Sequence, residues 1–92
     1  MDKFTPPTAG ERLALLNEYS EPYDRLIREK ERHRITSISR TKAYTLEKSK
    51  RFPARKMLGR NSCAWLLSDL LFWIHNPPVV DNVNNPHSRK TA

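Results

Sequence analysis

The chain has 92 residues and a mass of 10.8 kDa, which allows one small domain with short extensions and excludes a large multidomain enzyme. Its 17 lysines and arginines outnumber its 10 aspartates and glutamates, so the formal net charge is +7. A charge of this size favours a polyanionic partner. Hydrophobic residues make up only 37% of the sequence, so we expect a modest core that is concentrated in part of the chain.

The single cysteine, Cys63, has no partner for an intramolecular disulfide, and the sequence does not open with a secretory leader. The longest apolar stretch, 63–74, contains Ser68 and Asp69. It is also shorter than the roughly 20 residues that a membrane-spanning helix needs. We therefore expect a cytoplasmic protein without a membrane-spanning segment.

The charge is unevenly distributed along the chain. Residues 1–24 carry 2 − 5 = −3, residues 25–60 carry 13 − 3 = +10, and residues 61–92 carry 2 − 2 = 0. The basic block attracts phosphates, although a solvated charged face is the simpler alternative. We divide the chain into an acidic N-terminal extension with a short helix at 1–24, a folded domain at 25–78 and a flexible tail at 79–92.

Two helices are predicted in the first part of the chain. Thr8 and Glu11 form a capping box before a group of leucines, which predicts a short helix over about 9–19. A second helix is expected over about 28–36, with Ile35 facing inward and many charged residues facing outward.

A tight turn leads from the second helix into a third. Ser39 is a suitable N-cap for this helix, which is expected to end near Ser49, and only three residues separate it from the previous one. Two helices joined so closely are typical of a helix-turn-helix. On a helical wheel, Ala43, Leu46 and, at the frayed end, Lys50 share the core side.

The remaining elements are a hairpin and a short helix. Residues 54–66 predict two strands around a turn at 59–61, which makes a basic β-hairpin. Ser68 is expected to cap a last helix over about 69–75. The fold class is therefore mainly α with a small β-hairpin: a winged helix-turn-helix with an extra N-terminal helix and a disordered C-terminal tail. The predicted core of the domain is Phe52, Leu58, Trp65, Leu66, Leu70, Trp73 and Ile74.

With these elements in place, the sequence resembles the AlpA family of prophage regulators, which are MerR-like winged-helix proteins of phages, satellites and integrated islands. The resemblance covers about 25–78 and is spread over every element of the domain. The residues that carry it are 35–40, Tyr44, Phe52-Pro53, Leu58-Gly59, 65–69 and Trp73-Ile74.

The resemblance implies a protein that binds double-stranded DNA near an attachment region, activates or represses the integrase promoter, and often acts as an excisionase. An excisionase has no catalytic residues, because it bends DNA and positions the integrase. The implied partners are therefore DNA, further copies of the chain and an integrase, in the cytoplasm and at the nucleoid. Several copies are expected to bind cooperatively to repeated sites, because a single module of this size buries little surface on DNA.

The chain departs from the family's pattern at several positions. The family usually has Gly at the position of Ser37 and often has Gly at that of Lys50, where a left-handed backbone is convenient. Position 32 is commonly small or apolar in the family but is Arg32 here, and the usually charged positions 71 and 72 are Leu71 and Phe72.

The third helix and the hairpin carry the candidate DNA-binding residues. The first half of a recognition helix meets base edges, where Arg binds guanine and Thr contacts a thymine methyl group or a phosphate. Wing arginines clamp the backbone or the minor groove. Contacts to phosphates alone, solvated charges and packing of Tyr44 on the wing are the simpler alternatives. The candidates are Ser39, Arg40, Thr41, Lys42, Tyr44, Thr45, Lys48, Arg51, Arg55, Lys56, Arg60 and Asn61.

The last helix carries apolar residues outside its predicted core face. On its helical wheel Leu71 and Phe72 lie away from the core, so they need a cover, and the leucines of the first helix are the candidate. This contact forms either within one chain or across a dimer, and a loosely attached helix beside a tolerated surface Phe is the alternative. The candidate interface residues are Leu13, Leu16, Leu71 and Phe72.

Catalytic and metal chemistry find little support. The residues His33, His75, His87 and Cys63 lack the paired spacing of a zinc site. Ser68, Asp69 and His75 share one short helix, which cannot orient a nucleophile, a base and a third member together. We therefore expect no enzymatic activity, cofactor or metal.

Two functional hypotheses from different classes remain. The first is a sequence-specific DNA-binding regulator or excisionase of a phage, satellite or genomic island. The second is a protein-interaction adaptor that binds a host or phage regulator through the N-terminal helix and the Leu71/Phe72 patch.

Overall fold

The computed structural model describes residues 3–75 and residue 77. Within them, the helices and strands follow the order α1 (Ala9–Glu18), β1 (Leu26–Ile27), α2 (Glu29–Thr36), α3 (Arg40–Lys48), β2 (Lys56–Met57), β3 (Cys63–Leu66) and α4 (Leu67–His75). The fold is mainly α with a small antiparallel sheet, as predicted. The tail at 79–92 lies outside the described residues, and the division of the chain into three parts remains a prediction.

The small sheet has the strand order β1-β3-β2. β2 and β3 form the predicted hairpin, with Met57 opposite Cys63. β1 pairs antiparallel with the other side of β3, with Leu26 opposite Leu66. This strand was not predicted, because two residues are too few to show the alternation that identifies a strand.

The predicted N-caps of α1 and α3 are confirmed. In the α1 capping box, the Glu11 carboxylate accepts from the Thr8 N–H at 2.8 Å and the Thr8 hydroxyl accepts from the Glu11 N–H at 3.2 Å. At the start of α3, the Ser39 hydroxyl accepts from the Lys42 N–H at 3.0 Å. Both caps satisfy backbone donors that would otherwise lack partners in a first helical turn.

Left-handed residues end α2 and follow α3. Ser37 has φ 64° and Lys50 has φ 65°, the left-handed conformation that the resemblance implies at these two positions. A side chain in this conformation costs roughly 1–2 kcal/mol relative to the usual backbone. The prediction that Lys50 shares the core side of α3 is wrong. α3 ends at Lys48, so Lys50 lies beyond the helix, and its side chain is exposed.

The start of α4 differs from the prediction. α4 begins at Leu67, so Ser68 is not its N-cap but a fully buried residue in its first turn. Asp24 supplies the missing acceptor: Oδ1 accepts from the Ser68 N–H at 3.0 Å and Oδ2 from the Ser68 hydroxyl at 2.6 Å. The cap is therefore provided from a distant part of the chain.

α1 packs on α4 within the same chain, which is one of the two arrangements predicted for this contact. Leu15 and Leu16 join the core, and Arg12 Nη1 donates to Ser68 Oγ and Asp69 Oδ1, both at 2.7 Å. The aromatic ring of Phe4 meets that of Phe72 edge-on, with centroids 6.1 Å apart.

Two residues differ from the prediction in whether they are buried or exposed. Leu71 is buried rather than outward-facing, because α1 and α2 cover faces of α4 that a one-sided helical wheel leaves open. Leu58 is 48% exposed rather than part of the core, since it follows β2, whose two residues are both exposed at the outer edge of the sheet. Among the candidate interface residues, Leu16 is buried with Leu71, whereas Leu13 is 62% exposed.

The rest of the predicted core is found inside the domain. The buried members are Phe52, Trp65, Leu70 and Trp73, while Leu66 and Ile74 are half-buried. In the described part of the chain, no helix has both the length and the hydrophobicity needed to cross a bilayer.

One charged residue, Arg32, lies at the centre of the molecule with 0% exposure. Its Nη1 donates to Thr36 Oγ1 at 3.0 Å and to the Ile38 carbonyl at 2.8 Å, and Nε donates to Glu29 Oε1 at 3.1 Å. The guanidinium also lies 5.7 Å from the centroid of the Trp65 ring. A buried charge requires such partners, and through them Arg32 fixes α2 against the turn that precedes α3.

Candidate nucleic-acid interface

α3 presents a polar and basic face to solvent. Ala43 and Leu46 are buried and attach the helix to the core. The remaining positions of the predicted recognition face are all exposed: Arg40, Thr41, Lys42, Tyr44, Thr45 and Lys48. Ser39 is exposed too, although its oxygen is already used as the N-cap of the helix.

The wing, defined here as residues 51–66, carries the second group of predicted residues. Lys56, Arg60 and Asn61 are exposed, whereas Arg51 and Arg55 are half-buried. The Arg51 carbonyl accepts from Trp73 Nε1 at 3.0 Å, so the Arg51 backbone also supports the core. The hairpin turn is closed by the Leu58 N–H, which donates to the Ser62 carbonyl at 2.8 Å.

Most cations of the basic block form no salt bridge with the residues that the structure describes. Of its thirteen lysines and arginines, Arg25, Arg32 and Arg55 form salt bridges with carboxylates. The other ten form none with the residues that the structure describes, which leaves a positive surface able to attract phosphates. They are Arg28, Lys30, Arg34, Arg40, Lys42, Lys48, Lys50, Arg51, Lys56 and Arg60.

The Arg25 ion pair lies where β1 leads into α2. Arg25 Nη1 and Nη2 donate to the two carboxylate oxygens of Glu31 at 3.2 and 3.0 Å. This hydrogen bonding lowers the pKa of Glu31 below its ordinary value and raises the pKa of Arg25, while desolvation opposes both shifts. The charge of Arg25 is thus compensated locally.

A shallow cleft of about 330 Å³ separates α3 from β3 and the base of the wing. It brings four predicted DNA-binding residues together, namely Arg40, Thr41, Tyr44 and Arg55. The other predicted residues do not line this cleft.

Arg55 is held in place at the cleft. Its Nε donates to the two carboxylate oxygens of Glu47 at 3.2 and 3.4 Å, and its Cζ lies 5.1 Å from the centroid of the Tyr44 ring. Tyr44 therefore contacts the base of the wing and is still 50% exposed, so packing and solvent exposure coexist. Sequence reasoning missed Glu47, although it is the sole carboxylate of α3 and lies three residues after Tyr44.

Among the described residues, no three His, Cys, Asp or Glu side chains come together in a group that could hold a metal ion. His87, one of the residues considered for a metal site, lies outside the described residues. Cys63 is a half-buried free thiol.

Comparison with known proteins gives one match. A family model described as Prophage CP4-57 regulatory protein (AlpA) matches residues 25–77, which are 53 of the 92 residues. The match runs from the start of β1 to the end of α4 and leaves α1 outside. No curated protein and no solved structure matches the chain.

Proposed function

We propose that this protein, which belongs to the AlpA family of prophage regulatory proteins, binds specific double-stranded DNA sites as a regulator of an integrase gene, as an excisionase, or as both. The observation that carries the proposal is the exposed basic face of α3 beside a basic wing, where seven lysines and arginines at 40–60 form no salt bridge with the described residues. Phage regulation is the role of the family as a whole.

The proposed docking places α3 in the major groove. Arg40 and Thr41 occupy its first turn, and the first turn of a recognition helix is the part that reaches base edges. Arg40 offers a bidentate pair to guanine, which is worth about 1–3 kcal/mol of discrimination against other bases. The hydrogen bond of Ser39 to the Lys42 N–H fixes the start of this turn.

The wing and further copies complete the proposed mechanism. Lys56 and Arg60 on the exposed hairpin neutralise backbone phosphates or enter the minor groove. Several copies bind adjacent sites, because one module buries too little surface for tight binding, and together they bend the DNA and position an integrase. This activity takes place at the nucleoid in the bacterial cytoplasm.

The adaptor hypothesis assigns binding of another protein to the N-terminal helix and the Leu71/Phe72 patch. Leu71 is buried and Phe72 is half-buried against Phe4 and the core, so only Leu13 of the candidate interface residues is open to solvent. A docking patch for another protein needs a contiguous apolar surface that is open to solvent. We therefore propose DNA binding alone.

The salt dependence of binding tests the proposal. With six to eight phosphates neutralised, log K should fall against log salt with a slope of about −5 to −7, at about −0.9 per contact. Fluorescence anisotropy of a labelled duplex from the attachment region measures the slope, and a duplex of scrambled sequence is the control. An affinity that does not change with salt would rule out this mode of binding.

A further inference from the structure

We propose that Arg55 is a pre-oriented arginine for a backbone phosphate of DNA, and that Tyr44 and Glu47 are the positioning residues that hold it. This inference rests on the proposed function, because it names residues through which the same DNA surface works. It concerns the cleft between α3 and the base of the wing.

Two contacts fix the Arg55 side chain before any ligand binds. Glu47 accepts from Nε at 3.2 and 3.4 Å, and the guanidinium carbon lies 5.1 Å from the centroid of the Tyr44 ring. The Arg55 and Glu47 side chains are 29% and 20% exposed, so solvent screens their ion pair less than it screens a surface pair. Tyr44 and Glu47 lie three residues apart on α3 and hold Arg55 from one helix face.

The geometry leaves the binding end of Arg55 available. Glu47 engages only Nε, and the terminal nitrogens Nη1 and Nη2 form no hydrogen bond with the described residues. Neither nitrogen is a buried atom without a partner, so both are accessible to solvent. Two free NH₂ groups in a planar fork match the oxygens of a phosphate, and Arg40 and Thr41 line the same cleft.

Glu47 also acts on the DNA affinity in the opposite direction. A carboxylate on the recognition helix repels DNA, so simple electrostatics predicts that its removal strengthens binding. A positioning role predicts the reverse, because a free arginine must be ordered when DNA binds, and ordering a long side chain weakens association. The two effects can be separated by two substitutions that remove the same charge.

The decisive experiment compares Glu47→Ala with Glu47→Gln in binding to a duplex from the attachment region. Gln keeps an oxygen that accepts from Arg55 Nε, whereas Ala does not, and both variants lose one negative charge. We expect Glu47→Ala to bind about 3- to 10-fold more weakly than Glu47→Gln, the size expected for one side chain left to be ordered. Glu18→Gln, on the exposed acidic helix α1, controls for the change in total charge.

A second pair of variants tests the aromatic contact. Tyr44→Phe keeps the ring under the Arg55 guanidinium, and Tyr44→Leu removes it. We expect Tyr44→Leu to bind more weakly than Tyr44→Phe by a similar factor. This pair also carries the test if Glu47→Ala fails to fold, which its melting curve shows.

Arg55→Gln distinguishes a phosphate from a base as the ligand. Loss of a phosphate contact weakens binding to specific and scrambled duplexes alike and reduces the salt slope by about 0.9. A loss confined to the specific duplex would overturn the phosphate assignment. Equal affinities within both variant pairs, with the wild type binding normally, would overturn the positioning role. Failure of the wild type to bind DNA would instead contradict the proposed function.

Discussion

A chain that lacks residues 1–22 should melt at least about 12 °C below the full-length protein. Leu15 and Leu16 belong to the hydrophobic core, and burial of two leucines contributes about 3–6 kcal/mol. In a domain of this size, 1 kcal/mol shifts the melting temperature by about 4–8 °C. The deletion also removes Arg12, which donates to Ser68 and Asp69 in the first turn of α4. Thermal unfolding followed by circular dichroism measures the shift.

Two leucines on α1 provide a matched control for the deletion. Leu16→Ala, at a buried position, should cost about 2–5 kcal/mol, whereas Leu13→Ala, at a position that is 62% exposed, should change the stability little. Equal melting temperatures for the truncated and full-length chains would mean that α1 is only loosely attached. The family match begins at residue 25, so this experiment also asks whether the matched segment is stable by itself.

Arg32→Met should lower the free energy of unfolding by about 2–4 kcal/mol and the melting temperature by about 10–20 °C. Met fills much of the same space, so the loss reflects the bonds rather than a large cavity. Without the guanidinium, the Ile38 carbonyl and the Thr36 hydroxyl lose a donor, and Glu29 loses its partner. The cost is kept below that of a fully buried unpaired charge because the Glu29 side chain is 38% exposed and becomes hydrated.

Glu29→Gln is the control for the Arg32 substitution. It removes the carboxylate charge but keeps an acceptor for Arg32 and leaves the bonds to Thr36 and Ile38 intact. We expect this variant to lose at least as much stability as Arg32→Met, because the guanidinium is 0% exposed and stays charged without its carboxylate partner. A melting temperature unchanged by Arg32→Met would show that the buried bonds do not hold α2 against the turn.

Local patterns in the sequence predict the helices and the hairpin because their signals lie within a few residues of each other. The capping box of Thr8 and Glu11 and the cap at Ser39 are contacts over three residues, and the structure confirms both. The left-handed backbone at Ser37 and Lys50 agrees with the glycines that the resemblance implies there. These features follow from short-range hydrogen bonding and backbone sterics.

The errors arise where distant parts of the chain meet. The cap of α4 is provided by Asp24, which is 44 residues away from Ser68, and no local pattern indicates that pairing. Leu71 was assigned to the surface because a helical wheel assumes one buried face, whereas α4 packs against α1, α2 and β3. Burial of a helix on several sides depends on the tertiary arrangement.

In the candidate site too, contacts between distant residues could not be predicted from local patterns. Residue types and helical spacing indicate which side chains of α3 are exposed, and all six predicted recognition residues are. The orientation of Arg55 could not be predicted, because it depends on the wing folding back onto Glu47 and Tyr44 across eight or more residues. Charge counts indicate a candidate DNA-binding surface, whereas the geometry of individual cations depends on the fold.

The most direct test of DNA binding is footprinting of the full-length protein across the attachment region and the integrase promoter of the element that encodes it. We expect protection at several short repeated sites, at concentrations that leave unrelated DNA unprotected. Protection nowhere on this DNA, or equal protection along its whole length, would contradict sequence-specific binding.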